Sequence, residues 1–564
     1  MNSTRIIECV PNFSEGKDQM VLDKIADAIK KVDGVSLLHI DPGASTNRTV
    51  FTFAGAPEPV IEAAFQAIKI ASELIDMSKH KGAHPRMGAT DVCPLVPVSG
   101  IGLEEVDLYA KKLAKRVGIE LAIPVYLYET SASTSKRRNL ADIRSGEYEG
   151  LEQKMKDPDW IPDFGPITFN AKSGATVIGA RSFLIAYNVN LNTKSVNLAN
   201  EVAFDIRENG RPKRDPLTQK ILKDDKGEII RVPGKCRGVK AIGWYIAEYG
   251  IAQISMNITN LNETSLHLAF EECRKSAENY GLLVTGSELV GLVPKIALLE
   301  AGKYFLQKQK RSFGVPEGEL IEIAIQSLGL NAISNFNPKN RIIEYMIDQT
   351  TNPLADLSLQ DFAKETASDS PAPGGGSVSA YVGSLGAALT AMVANLTAHK
   401  KGYENRIDFY TEHAVQSTHS YTELLKLVDE DTRAFNGIID AFRLPKNSVV
   451  EKKERKMAIQ NATIYAIDVP LKTMQLAYEQ LSHVLAMVKE GNPNSVSDAG
   501  VGALCIHAAI KGAGLNVKIN AAGLENEELK QKYINLSEQI ISQTKTAVEE
   551  IENEVMKRIF SSEV

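Results

Sequence analysis

The chain carries no CxxC pair, and its five cysteines (Cys9, Cys93, Cys236, Cys273 and Cys505) are odd in number and scattered over 564 residues. That excludes a disulfide framework and a cysteine zinc site, and it suits a reducing compartment. No GxGxxG or Walker sequence occurs in the first segment, so a nucleotide site is not indicated there. Net charge is −6, which leaves no global basic field for nucleic acid. The start, MNSTRIIECVPNFSEG, holds no long apolar run, so the expectation is a cytoplasmic protein without a signal peptide. Gly374 to Ala398 is the most membrane-like stretch. Its glycines, serines, threonines and Asn395 suit a closely packed soluble helix better than a spanning one, so no membrane is expected.

Hydrophobic residues make up 43% and charged residues 24%, ordinary values for a globular protein. The length exceeds what one core supports and predicts roughly three or four domains. The densest chemistry lies at Ser78 to Pro94, SKHKGAHPRMGATDVCP. His84 precedes Pro85, which biases it toward an extended backbone, and Arg86 stands two positions on. A histidine beside a fixed guanidinium can shuttle a proton while the arginine holds an anionic group. His80 and His84 have zinc-helix spacing, yet Gly82, Pro85 and the lack of an intervening glutamate argue against a metal. On composition alone the stretch fits a solvated polar loop equally well.

Around it, strands are expected at Arg5–Val10, Val35–Ile40, Arg48–Ala54, near Val92 and at Ile123–Tyr128. Helices are expected at Lys17–Val32, Pro57–Asp76 and Leu103–Val117. This order predicts an α+β, ferredoxin-like domain over residues 1–181. The turn from Asp41 to Thr49 is too polar for a simple hairpin. The long loop from Trp160 to Gly174 offers Trp160, Phe164 and Phe169 as a wall for a flat ring. Residues 182–340 repeat the pattern, with strands at Ser182–Asn190, Val239–Ile246, Ala252–Ile258 and Leu282–Thr285, and helices at Ser195–Arg207 and Ser265–Tyr280. Arg211 to Cys236 reads as a charged surface excursion. A linker over 341–356 follows.

Residues 357–564 read as all helix. Gly374, Gly375 and Gly376 open a small-residue helix, and their amides would make a seat for an anion or carbonyl oxygen. A flexible helix entry explains them equally well. On the helix Thr411–Phe442, Asp431 falls in the apolar row of Leu424, Val428, Phe435, Ile438 and Phe442, while Asp429 and Glu430 are expected to point elsewhere. A carboxylate on an inward stripe needs a partner or a task. The competing reading is a structural acid paired with a lysine. Ser495 to Asp498 reads as a helix cap.

The segments Ile7–Gly16, Ser45–Thr49, His84–Gly88 and Asp163–Pro166 together resemble the formiminotransferase family. Ala372–Ser377, Leu427–Asp431, Arg443–Lys446 and Asn492–Asp498 are similar to the formiminotetrahydrofolate cyclodeaminase family. In this order on one chain they match the bifunctional formiminotransferase-cyclodeaminase family. The resemblance implies transfer of a formimino group from N-formimino-L-glutamate to tetrahydrofolate, then cyclisation to 5,10-methenyltetrahydrofolate with release of ammonia. It implies His84 as general base and acid, oriented by Asp41, with Arg86 and Arg48 on the glutamate carboxylates. The folate contacts it implies are Gly165, Pro166, Ile167, Thr168 and Phe169, continuing through Asn170, Ala171, Lys172, Ser173 and Gly174. Asp431 would carry the proton of the second reaction beside the triple glycine. Tetrahydrofolate, in polyglutamylated form, is the implied co-substrate, with Lys79, Lys81, Lys400 and Lys401 as candidate tethers. No metal is implied, and the implied assembly is a homo-oligomer with dimers through both domain types, up to an octamer. The alternative is a folate formyltransferase whose helical domain is cyclohydrolase-like or purely oligomerising.

Overall fold

A computed structural model describes residues 5–44, 46–82, 85–347 and 353–561. Two compact units divide the chain: Met1–Ala301 with Ala324–Gln349, and Gly302–Ile323 with Thr350–Val564. The division does not follow chain order, because residues 302–323 cluster with the helical unit.

The first unit is α/β. Its elements begin β1 (Ile6–Cys9), β2 (Asn12–Phe13), α1 (Gln19–Lys30), β3 (Val35–Gly43), β4 (Arg48–Gly55), α2 (Pro57–Leu74), β5 (Thr90–Ser99) and α3 (Leu103–Glu120). There follow β6 (Val125–Leu127), α4 (Leu140–Arg144), α5 (Glu147–Lys154) and β7 (Thr176–Ala180). Strands β3, β4, β1 and β5 lie side by side, all antiparallel, and β7 and β6 extend the sheet in parallel beyond β5. Alternation sets the faces. Ile7 and Cys9 enter the core with Phe13, Phe51 and Phe53 under the helices, while Glu8 stands on the other face. Asp18 caps α1 through the amides of Met20 and Val21, and Pro57 starts α2 where its missing N–H costs nothing.

The expected turn from Asp41 is corrected. Asp41, Pro42 and Gly43 belong to β3, with Asp41 opposite Val50, because backbone pairing with β4 continues to Gly43 and Arg48. A second sheet orders β11 (Val239–Ile246), β12 (Ile251–Ile258), β8 (Ile185–Leu191) and β13 (Val284–Val290), after α6 (Val196–Ile206) and the short ribbon β9 (Arg211–Pro212) with β10 (Arg231–Val232). The ribbon anchors the expected surface excursion. The last strand runs later than Leu282–Thr285 because a bulge at Gly286, with φ +148°, carries pairing on to Val290. Helix α7 (Leu266–Asn279) precedes it; α8 (Lys295–Lys308), α9 (Glu317–Leu328) and α10 (Ile343–Ile347) follow, all three unanticipated, the last within the stretch expected as a linker.

The second unit adds α11 (Leu359–Thr366), α12 (Gly375–Ala398), α13 (Ile407–Arg443), α14 (Val449–Glu490), α15 (Val496–Ala521) and α16 (Glu527–Ser561). Helix α12 packs on α15 through small residues: a Cβ on Gly386 would stand 2.8 Å from the Gly502 carbonyl. Gly375–Ala398 and Pro493–Ala521 are long and apolar enough to cross a membrane, and 61% of the first one's most apolar window is buried inside the structure. Ser448 and Glu451 form a reciprocal capping box at α14. The cap expected of Ser495 is absent: its side chain makes no capping bond to α15.

Candidate active sites

In the first unit, the loop after α2 is pinned from both sides. Met77 N donates to Lys172 O at 2.9 Å, and Lys172 Nζ donates to Glu73 O at 2.7 Å. Asn47, in the left-handed region at φ +49°, holds three segments. Its Oδ1 accepts from Gly16 N at 3.0 Å, its Nδ2 donates to Lys81 O at 3.0 Å, and its carbonyl meets His80 Nε2 at 3.0 Å. Arg86 Nε donates to His80 Nδ1 at 3.3 Å. A guanidinium only donates, so Nδ1 is the acceptor and the His80 proton sits on Nε2.

The Arg86 guanidinium is buried and already satisfied. Nη1 reaches Glu147 Oε2 and Glu149 Oε2, both at 3.0 Å, and Nη2 reaches Glu149 Oε1 at 2.6 Å. Glu149 raises the arginine's pKa, and Arg86 in turn lowers that of Glu149. A glutamate substrate would have to displace this fork, so the geometry gives Arg86 a positioning task. Arg48 is different. Burial lowers its pKa against the pull of Asp91 and Asp41, and among the described residues its buried Nε has no hydrogen-bond partner. Asp41 itself is exposed. His84 lies outside the described residues.

The segment after Arg86 joins distant motifs. Ser14 Oγ donates to Gly88 O at 2.7 Å, and Ala89 N donates to Ser173 O at 2.9 Å. Gly88 bridges Gly174, whose φ is +66°; a Cβ on Gly174 would meet Met87 O at 2.1 Å. Buried Asp91 accepts from Met87 N at 3.0 Å and pairs with Arg144, fixing this turn from beneath. Gly165, at φ +86°, packs on the Ile123 carbonyl where the following loop begins. Pro166 is half-buried, while Ile167, Thr168, Ala171 and Lys172 are exposed. Phe169 packs on Tyr148 with ring centroids 5.4 Å apart, and Asn170 turns the loop back through Ser173 and Gly174. The three-ring wall is corrected: Phe164 packs on the main core, while Trp160 and Phe169 pack on a separate cluster around Tyr126 and Met87.

A cavity of about 700 Å³ opens here, lined by Met77, His80, Lys81, Gly82, Arg86 and Glu147 among others. Glu147, Glu149, Asp91 and Arg144 were not singled out from the sequence. Only the charge flanking Tyr148 could have flagged the two glutamates.

In the second unit, Gly374 is the N-cap of α12, and Gly375 and Gly376 form its first turn. Ser377 Oγ donates to Asp431 Oδ2 at 3.2 Å. Burial raises the Asp431 pKa, opposed by bonds from the Ser377 hydroxyl and amide. Among the described residues no lysine or arginine pairs with it. That disfavours the structural-acid reading.

The row drawn through Asp431 needs two corrections. Phe435 and Phe442 are 41% and 54% exposed. They lie on the part of α13 that runs past the start of α12, whose Gly376 abuts Asp431. Asp429, expected outside, is buried and accepts from Leu354 N at 2.9 Å and Ala355 N at 3.0 Å. Arg443 pairs with Asp440 and lies twelve residues, about 18 Å of helix, beyond Asp431. Beside Gly375 is a depression of about 650 Å³ lined by Gly512, Asn516 and Lys518. Among the described residues no three His, Cys, Asp or Glu side chains gather into a metal-holding group.

Each unit thus presents its own constellation, the arrangement of a chain with two sites. Comparison with known proteins agrees. Residues 6–181 match the family model "Formiminotransferase domain, N-terminal subdomain", 186–348 "Formiminotransferase domain", and 358–539 "Formiminotransferase-cyclodeaminase". A formimidoyltransferase-cyclodeaminase of Mus musculus is 42% identical over 546 residues, 96% of this chain and 97% of that one. A glutamate formimidoyltransferase of Streptococcus pyogenes is 43% identical over 303 residues, 54% of this chain and 94% of its own. A methenyltetrahydrofolate cyclohydrolase of Methylorubrum extorquens is 32% identical over 203 residues, 36% of this chain and 97% of its own. The chain belongs to the formimidoyltransferase-cyclodeaminase family.

Proposed function

We propose that the protein is a bifunctional folate enzyme. It moves the formimino group of N-formimino-L-glutamate to N5 of tetrahydrofolate, then closes the product to 5,10-methenyltetrahydrofolate and frees ammonia. The observation that carries this reading is Asp431, a desolvated carboxylate with hydroxyl and amide partners and, among the described residues, no cation, seated on the glycine start of a helix. Desolvation without a cation keeps a carboxyl able to hold a proton and give it up.

In the transfer, the N5–carbon bond forms as the bond from carbon to the glutamate nitrogen breaks. His84, by its place in the family motif, takes the N5 proton and returns it to the leaving amine, with Asp41 orienting it. Arg48, whose Nε is unpaired among the described residues, suits a glutamate carboxylate. The loop from Gly165 to Gly174 holds folate, and Gly88 fixes that loop against the turn that carries Arg86. In the cyclisation, N10 bonds to the same carbon and the carbon–nitrogen bond of the departing amino group breaks. Asp431 carries the N10 proton to that nitrogen. Gly374, Gly375 and Gly376 supply amides beside it.

The strand order β3-β4-β1-β5 in the first sheet and β11-β12-β8-β13 in the second supports reading both as ferredoxin-like. The remaining assignments are homo-oligomeric assembly, a cytoplasmic place in histidine breakdown, no metal requirement, and a polyglutamate tail held by Lys79, Lys81, Lys400 and Lys401. The scattered cysteines support the cytoplasmic one.

Likeness to the Methylorubrum cyclohydrolase favours a second reading, in which water rather than a nitrogen departs or enters at the helical site. The test is ammonia release and methenyl-folate absorbance from N-formimino-L-glutamate and tetrahydrofolate. Both signals together support the cyclodeaminase; transfer from N-formylglutamate without ammonia supports the alternative.

A further inference from the structure

Arg86 gathers two carboxylates around one guanidinium at the cavity wall, and the two are used unequally. Glu149 spends both oxygens on the fork, on Nη1 and Nη2. Glu147 spends only Oε2, and among the described residues its Oε1 makes no hydrogen bond. The guanidinium is 8% exposed, whereas the Glu147 and Glu149 side chains are 43% and 64% exposed. The cation is therefore buried behind its acids, and the cluster of Arg86, Glu147 and Glu149 carries one negative charge in excess with a free acceptor oxygen, facing a cavity that Lys81 also lines.

Glu147 is also held at φ +52°, directly after Gly146 at φ +89°. A glutamate in the left-handed region is a strained conformation that its surroundings must hold in place. The amide of Tyr148, which donates to the Arg86 carbonyl at 2.8 Å, keeps it there. His80 accepts from a further arginine donor, Nε, so the fork cannot turn away to release its acids without losing that bond.

We propose that Glu147 is the specificity residue for the donor: its free oxygen accepts from the N–H groups of a formamidinium and so selects a formimino over a formyl compound. This rests on the transferase reading above. An amidine is protonated at neutral pH, planar, and carries N–H donors along one edge, which matches a carboxylate as a guanidinium does. A formyl group puts a carbonyl oxygen where the amidinium has nitrogen. It would set acceptor against acceptor at Glu147 and leave that carboxylate without a donor, the situation in which a polar site rejects an analogue most strongly. Pairing with a carboxylate also keeps the amidinium charged, and the charge makes its carbon open to attack by N5.

The experiment compares wild type, Glu147→Gln and Glu147→Asp with two ligands, N-formimino-L-glutamate as donor and N-formylglutamate as competitor. The expected result for Glu147→Gln is a roughly 10- to 100-fold fall in kcat/KM for the formimino donor, the size of one charge-assisted hydrogen bond. It should come mainly through KM, with KM for tetrahydrofolate unchanged and inhibition by the formyl compound unchanged or tighter. Glu147→Asp, which keeps the charge on a shorter arm, should fall between. A loss equal for both ligands, or no loss, overturns the proposal. Should Glu147→Gln fail to fold, the wild type still decides: a formyl compound binding as tightly as the formimino donor overturns it. Absence of any transfer by wild type would sink the transferase reading itself.

Discussion

The carboxylate of Asp431 closes over the Cα of Gly376 so tightly that a methyl group there would lie 2.1 Å from its Oδ1. The two residues lie in different helices, and the contact is possible only because position 376 has no side chain. Gly376→Ala must push the carboxylate by more than an ångström. Misplacement on that scale costs about 100-fold in rate. Ammonia release should fall by that order while formimino transfer from the other unit is unchanged, which separate assays of the two steps would show.

Asp429 and Asp431 should separate stability from activity. Asp429 holds the backbone amides of Leu354 and Ala355. Asp429→Ala leaves both donors unpaired and should cost about 1–3 kcal/mol per group, read as earlier unfolding of the helical unit in denaturant. Asp431→Asn keeps the volume and sheds a desolvated charge. It should unfold no earlier than wild type and stop cyclisation.

That pair also shows what the sequence could disclose. The 3.6-residue period located α13 and placed Leu424 and Val428 inside correctly, because other helices do the covering there. Asp429 is covered by the irregular backbone at Leu354 and Ala355, and such backbone leaves no periodic trace. Phe435 and Phe442 continue the row in sequence, yet they outrun the start of α12. In the first unit, alternation set Ile7 and Cys9 in the core. The bridge from Gly88 to Gly174 joins strand ends 86 residues apart, and only its glycines hinted at close backbone approach. Glu147 and Glu149 were silent, since two glutamates flanking a tyrosine look like any solvated turn.

Burial of Glu8 makes the first unit pH-sensitive. Desolvation raises its pKa from 4.5 to about 7, with Arg181 opposing. The folded state then binds more protons than the unfolded chain between these values, so stability falls as pH rises through that window and levels off above it. Glu8→Gln removes the penalty. The variant should match wild type near pH 4.5 and gain about 3 kcal/mol by pH 8, seen as a Tm difference that opens with pH and is absent in acid.

Gly174→Ala should damage the folate loop. At φ +66°, with a Cβ 2.1 Å from the Met87 carbonyl, alanine cannot be housed without parting Gly88 from Gly174. KM for tetrahydrofolate should rise at least tenfold, since the loop would lose its fixed position, and cyclisation of supplied 5-formiminotetrahydrofolate should proceed at the wild-type rate.

The most direct measurement follows both products at once, ammonia and methenyl-folate absorbance, from N-formimino-L-glutamate and tetrahydrofolate with wild type, His84→Ala and Asp431→Asn. Two sites in series predict that wild type yields both, that His84→Ala yields neither, and that Asp431→Asn releases glutamate while 5-formiminotetrahydrofolate accumulates. Undiminished ammonia from Asp431→Asn would contradict the account, because the second reaction would then proceed without the carboxylate on which the helical site is built.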